Sequence, residues 1–381
     1  MKKRSGIQIV DSLASIPASE WDALAGNHPL LSHAFLHALQ ESSCASAETG
    51  WAPCHLTLWR EGRLAAAMPL YLKSHSYGEY VFDWAWADAY QRHGLQYYPK
   101  LLNAVPFTPV TGPRLLAMNE ADRHALLDAA LTFARDSGVS SLHCLFPAAP
   151  EVEAFESAGM MLRASVQFHW RNEGFSDFED FLGRMNHEKR KKIRQERRKV
   201  RDAGIEFRWL RGDEASAADW MFFIECYNAT YHAHHSTPYL NLDFFLRLAQ
   251  AMPENLLLIL GYRDGLPVAS AFNILGNGML YGRYWGTKEF HSGLHFEACY
   301  YQAIEFCIAE KIAAFEGGAQ GEHKLARGLL PQRTVSAHWL AHPEFAEAVT
   351  RFLRKEASGI EHYVDELAEH SPFKQADASP E

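Results

Sequence analysis

The run Gly317-Gly318-Ala319-Gln320-Gly321-Glu322-His323-Lys324 is where this chain concentrates groups that could do chemistry. Small residues come first and let backbone approach a substrate closely. A carboxylate, an imidazole and an amine then follow in direct succession. Attack of a protonated nucleophile on a carbonyl needs a group that takes its proton, and donors aimed at the developing oxyanion. Glu322 or His323 could supply the first; Lys324 or a glycine N–H could supply the second. The competing reading is a glycine-rich surface turn with ordinary polar residues. No cysteine or serine stands beside a base in a nucleophile motif, so direct transfer is expected, without a covalent enzyme intermediate. Gln320 and Arg327, within and just after the run, are expected to bind substrate.

Three further stretches carry candidate groups. Loop 288–293 ends in Gly293, and Leu294 and His295 lead into a helix expected from Phe296. Free backbone N–H groups at such a helix start can seat phosphate or carbonyl oxygen, so Gly293, Leu294, His295 and Phe296 are expected to hold the donor. Tyr284 and Trp285, on the strand before it, are expected to line an acceptor groove; plain core packing is the alternative. Tyr231-His232-Ala233-His234-His235 could bind metal through paired imidazoles. It lacks H-E-x-x-H spacing, so no metal is expected, and Tyr231 and His235 read as lining a wet cleft. Finally, residues 184–201 hold ten Lys or Arg against Glu188 and Glu196, in a chain whose net charge is −9. Apolar residues there are only Met185, Ile193 and Val200, a narrow stripe that leaves most of the helix solvated. Such a surface suits a phosphate-rich partner such as tRNA, or is simply an exposed linker helix.

These groups need elements to position them. The 381 residues suggest two domains, each large enough for its own core. Six cysteines without a C-x-x-C pair fit reduced thiols, and no apolar stretch is long enough to span a bilayer, so a cytoplasmic protein is expected. The chain also echoes itself. Trp86-Ala87 and Gly94-Leu95-Gln96-Tyr97 recur at one constant offset as Trp285-Gly286 and Gly293-Leu294-His295-Phe296. Arg60-Glu61-Gly62 and Arg263-Asp264-Gly265 each sit between apolar runs as hairpin turns should. Strands are expected at 55–59, 64–72 and 80–86 in the first copy, with a helix starting near Leu95. In the second copy they are expected at 256–262, 267–275 and 279–285, with a helix at 296–312. A stripe of Phe345, Val349, Phe352, Leu353, Ile360, Val364 and Leu367 predicts a C-terminal helix over 343–370.

The element order in each copy resembles the GNAT acyltransferase fold, and two copies in tandem resemble the Fem-type aminoacyltransferases. Arg190, Ile193, Arg194 and Ala203-Gly204-Ile205 look like the basic helix leading into the second Fem-type domain. Ala154-Phe155-Glu156-Ser157-Ala158-Gly159-Met160 resembles a late helix-turn segment of GNAT domains. Gln96-Tyr97-Tyr98-Pro99-Lys100, Val105-Pro106-Phe107-Thr108-Pro109-Val110-Thr111-Gly112 and Gly318-Ala319-Gln320-Gly321-Glu322-His323-Lys324 look like the Fem-like N-acyltransferase family linked to peptidoglycan biosynthesis or recognition. The resemblance implies an α/β (α+β) fold of two GNAT-like domains with mostly antiparallel sheets: 1–171, a basic linker 172–204, a catalytic 205–342, and a helix and tail at 343–381. It implies an N-acyltransferase or aminoacyltransferase without a permanently bound cofactor. Its donor would be acyl-CoA or aminoacyl-tRNA, and its acceptor an amine, such as a peptidoglycan precursor. The GNAT coenzyme A loop, Gln/Arg-x-x-Gly-x-Gly/Ala, is incomplete in both copies, which keeps aminoacyl-tRNA open. Two rivals stand beside this reading. One is a non-catalytic cell-wall precursor or RNA-binding module on a degenerate scaffold; the other is a metal hydrolase centred on His232, His234 and His235.

Overall fold

A computed structural model describes residues 5–318 and 321–374. Along the chain the strands are β1 (Gly6–Val10), β2 (Trp51–Pro53), β3 (His55–Arg60), β4 (Arg63–Met68), β5 (Tyr71–Lys73), β6 (Lys100–Asn103), β7 (Leu116–Ala117), β8 (Ser141–Leu145), β9 (Met161–Arg171), β10 (Ile205–Arg211), β11 (Leu256–Arg263), β12 (Leu266–Gly276), β13 (Met279–Thr287), β14 (Ala314–Glu316) and β15 (Leu330–Leu340). The helices that matter below are α1 (Trp84–Arg92), α2 (Glu120–Asp136), α3 (His187–Asp202), α4 (Ala217–Ala233), α5 (Leu242–Ala251), α6 (Gln302–Ala309) and α7 (Pro343–Glu369). The chain forms two compact units: residues 1–165 with 333–361, and residues 166–332 with 362–381. The first unit therefore also takes the segment after Arg333, where the sequence suggested a plain division along the chain.

In the first unit β1, β3, β4 and β7 form one antiparallel sheet, and β15, β8, β6, β5 and β2 lie in order in another. Its main core packs Leu126, Leu127, Ala130, Leu131 and Ala134 of α2 against strand residues such as Leu56, Met68 and Leu142. One expectation fails here. The aromatic run ending at Trp86 is not a strand; Trp86 sits in α1. Its spacing to Tyr90, i to i+4, puts both rings on one helical face, and alanines at 85, 87 and 89 favour helix. Both rings are buried with Val349 and Leu353 of α7. Nor does a helix start at Leu95; residues 95–98 are irregular and lead into β6.

The second unit is built on one mostly antiparallel sheet in the order β10-β11-β12-β13-β14-β9, with only β13 and β14 parallel. Its strands fall where the periodicity placed them. The turn at Asp264 and Gly265 has φ of 52° and 78°, the doubly left-handed geometry that Asp-Gly favours in a two-residue hairpin. A large core of Phe168, Trp170, Phe181, Leu257, Ile259 and Leu280 with Ala303, Ile304 and Cys307 of α6 covers one face. Burying each large side chain of this kind contributes about 1.5–3 kcal/mol, so this core gives the sheet a rigid floor.

Candidate functional site

Two backbone irregularities of the second unit open its site. Between β12 and β13 the pairing runs Phe272 to Tyr284 and then Asn273 to Gly282, so Arg283 is an extra, bulged residue. A bulge bends its strand and re-aims the side chains beside it. Behind it, the helical stretch after Gly293 is a turn of α-helix, then five residues of π-helix, Glu297–Tyr301, then α6. A π-turn inserts one residue into the helical register and is frequent at functional sites. Together they line a cavity of about 100 Å³ with Ala271, Asn273, Arg283, His295, Cys299 and Tyr300 among its walls. Gly282 keeps it open, since a Cβ there would lie 2.9 Å from the Phe315 ring.

The polar groups around this cavity are unevenly satisfied. Arg283 and Glu316 are buried and 2.8 Å apart, but the contact is not aligned as a hydrogen bond. Arg283 donates from Nη1 to the Gly282 carbonyl at 2.9 Å. The Arg283 Nε and the Asn273 amide nitrogen have no hydrogen-bond partner among the described residues. His295 is half-buried against the Trp285 ring, with centroids 4.6 Å apart. Burial, helped by the nearby positive charges, pushes its pKa down to about 4, so its imidazole is neutral at pH 7.

His323, from a 3₁₀ turn at Glu322–Arg327, is exposed and adjoins the cavity without lining it. Its Nε2 is hydrogen-bonded at 3.0 Å to the hydroxyl of the cavity-lining Tyr300, and its ring lies 6.1 Å from that of His295. Partial burial and then Lys324 and Arg327 lower its pKa as well. Lys324 is 3 % exposed and donates to the Gly318 carbonyl at 2.8 Å. Burial brings its pKa down to about 8, against the opposing pull of Glu316.

The other candidate residues separate. Glu322 is exposed, accepts a hydrogen bond from Tyr363 at 2.9 Å and does not line the cavity. Arg327 is buried on the Phe296 ring, 3.4 Å from its centroid, pairs with Glu196 at 2.9 Å and donates to the His323 carbonyl at 2.7 Å. It therefore holds the His323 turn against α3, and Phe296 is its platform. Gly293 is left-handed at φ 89°, and a Cβ there would sit 3.3 Å from the Glu196 carbonyl. Helix α3 thus packs directly on the loop read as a phosphate seat. Leu294 is core, and its N–H donates to the His291 carbonyl. Tyr284 and Trp285 do line the cavity. Tyr231 instead joins an aromatic cluster with Tyr227 and Tyr239, and His235 is exposed beyond the end of α4. Gln320 lies outside the described residues. No group of three metal-ligating side chains occurs among the described residues, so His232, His234 and His235 do not converge as a metal hydrolase would need.

Sequence reading missed Asn273, Arg283, Cys299 and Tyr300. The bulge and the π-turn that expose them leave no composition signal, though Tyr300 does lie five residues after His295.

Residues 12–375 match the model of the FemAB-like family, described as peptidoglycan biosynthesis/recognition, and the chain belongs to that family. Among solved structures, it resembles FemX at 11% identity and a TM-score of 0.55, over 88% of this chain and 98% of that one. It also resembles L-PGS from Bacillus licheniformis at 10% identity and a TM-score of 0.52, over 84% and 96% of the two chains. At such identities the likeness concerns the fold. No curated protein sequence matches. Among the described residues, no helix is long and apolar enough to cross a membrane.

Proposed function

We propose that this protein is an N-acyltransferase that moves an acyl or aminoacyl group directly onto an amine, with the reaction centred in the second unit. The observation that carries the reading is the cavity at the Arg283 bulge, walled by a neutral His295 and by Tyr300 bonded to His323. An amine nucleophile must lose a proton as it attacks. The Tyr300 hydroxyl and His323 imidazole form a pair through which that proton can leave the cavity, while His295 offers a lone pair within it. The Fem-like family supports the reaction class, and an amine on a peptidoglycan precursor is the acceptor we favour. Two GNAT-like halves, with the cytoplasm as the working compartment, complete the proposal.

For the donor, Gly293 packed on Glu196 and Leu294 in the core leave little of a coenzyme A pyrophosphate seat, which favours aminoacyl-tRNA on the exposed cations of α3. A non-catalytic precursor-binding or RNA-binding module is the second reading, favoured by Glu322 being turned toward Tyr363. Purified protein should transfer label from charged tRNA or acyl-CoA to an amine-bearing muropeptide. Loss of that transfer in His323→Ala, with Glu322→Gln unaffected, supports the chemistry. Precursor or RNA binding without transfer by the wild type selects the second reading.

A further inference from the structure

We infer that Asn273 and Arg283 form the hole that receives the acyl carbonyl oxygen, making Asn273 a catalytic residue of the reaction proposed above, on which this inference rests. Buried donors are normally paired, and those that are not call for an explanation. Here two neighbouring residues break the rule at one cavity. Asn273 is 2 % exposed and its amide nitrogen is unpartnered among the described residues; so is the Nε of Arg283, the bulged residue beside its strand partner Gly282. Leaving such a group unsatisfied costs about 1–3 kcal/mol, and here two of them border one cavity.

The donors define the ligand. Both offer N–H, so the guest must bring an oxygen acceptor. The cavity is too small for a nucleotide but admits an acyl group, and Ala271, Phe272 and Phe315 make its walls apolar. The charge of Arg283 is already opposed by Glu316 at 2.8 Å, so the hole does not demand a full carboxylate. It favours a neutral carbonyl that becomes negative during reaction. As the amine nitrogen bonds to the carbonyl carbon, the C=O π pair moves onto oxygen. The Asn273 amide and Arg283 Nε then hold that charge, with buried Lys324 adding to the field. When the pair returns, the C–S or C–O bond to the donor breaks, and the proton that the amine gave up to the Tyr300–His323 pair is returned to the departing sulfur or oxygen, so that the donor leaves as thiol or hydroxyl. Donors fixed in advance stabilise the transition state more than the ground state.

Asn273→Leu tests this with two readouts of opposite sign. Removing one oxyanion donor should lower kcat by about 10²–10³-fold with little change in KM. Removing an unpartnered amide should raise or preserve the melting temperature, where a structural amide would lower it. Unchanged kcat, or a fall in both activity and melting temperature, overturns the assignment. A binding arm does not depend on turnover. In ¹⁵N NMR of the whole protein, acetamide should shift the Asn273 side-chain NH₂ signals, and acetate should shift them less. Acetate acting alone would make this a carboxylate site, and no response to either probe would remove the hole. Wild-type protein that shows no transfer but responds to acetamide would reject the enzymatic reading and keep the carbonyl site.

Discussion

The two units begin alike and then diverge. In each, a strand pairs antiparallel with the first arm of a hairpin: β1 with β3, and β10 with β11. Each hairpin turns through a left-handed acidic residue and glycine, Glu61-Gly62 or Asp264-Gly265. Each second arm carries one extra residue at the same place, Ala65 or Val268. Beyond this the second unit adds a long third strand, β13, with a second bulge at Arg283, whereas the first unit turns Trp84–Arg92 into helix. Their buried polar groups diverge too. In the first unit the ammonium of Lys100 bonds Glu79 and Ser76 at 2.8 Å and also Asp83. The Tyr97 hydroxyl donates to Asp83 at 2.6 Å and meets His143, whose other nitrogen is 2.7 Å from His338. The donors of that network are all paired, and what it leaves over among the described residues is two acceptor oxygens, Glu79 Oε1 and Asp83 Oδ1. In the second unit the donors stop at a cavity. A network whose donors are all paired fixes a fold, while unpaired donors beside a hole mark a place for a ligand.

The largest effect that would break this contrast comes from Lys100. Lys100→Met strips Asp83 of its buried cation, and unpaired buried charges are costly, so stability should fall by about 3–5 kcal/mol in chemical denaturation. A change under about 1 kcal/mol, comparable to an ordinary surface substitution, would show that the network is not structural.

Next in size is catalysis. His323→Ala should lower turnover by about 10²-fold, while Glu322→Gln should leave it near wild type. Equal losses in the two variants would mean that Glu322 swings into the site and that its bond to Tyr363 is incidental.

A pH effect follows from the first unit's polar network. Burial, and then the charge of Lys100, hold His143 down at about 3, and burial with His143 holds His338 well below the usual histidine value. Unfolded, each histidine returns to about 6.5. Between those values the unfolded chain binds more protons, so stability is full above about pH 6.5 and falls as pH drops toward 3. Glu79, whose carboxyl is pushed up to about 7 by burial, works the other way in this window, so urea unfolding at pH 7.5 and 5.5 should show the histidine loss as the difference between the wild type and His143→Gln. The same pH dependence in both proteins would place the two rings in solvent.

These contrasts also show what could be read from the chain beforehand. The Arg263-Asp264-Gly265 turn, the strands around it and the stripe of the C-terminal helix were legible because alternation and turn chemistry are local. His295, Trp285 and His323 were legible as candidate residues, and the structure places Trp285 against His295 and His323 against Tyr300. Trp86 was misread because an aromatic-rich segment suits a strand by composition, and only its i, i+4 match to Tyr90 says helix. The Arg283 bulge and the π-turn were invisible, since each is a count of backbone residues against a partner and not a preference of any side chain. His143 and His338 lie too far apart in sequence for either to announce the other.

The smallest effect on stability, and the sharpest on the donor, concerns α3. Part of its charge is already paired: Arg197 with Glu297 and Glu305, and Arg194 with Glu179 at the surface, while Ile193 and Val200 are buried. Lys191, Lys192 and Arg198 are exposed and Lys189 half-exposed on the remaining surface. Replacing these four with glutamine should change stability by only about 0.5 kcal/mol or less per site. If tRNA lies there, its affinity should fall by orders of magnitude between roughly 50 and 200 mM salt, because each neutralised phosphate releases counterions. The four substitutions should flatten that dependence, with the slope falling by about one for each lost phosphate contact. Acyl-CoA bound elsewhere would hardly respond to them. A salt-insensitive acyl-CoA complex that survives all four changes would remove tRNA as donor and leave the outer face of α3 as solvated surface, while its inner face would still hold the Arg327 turn through Glu196.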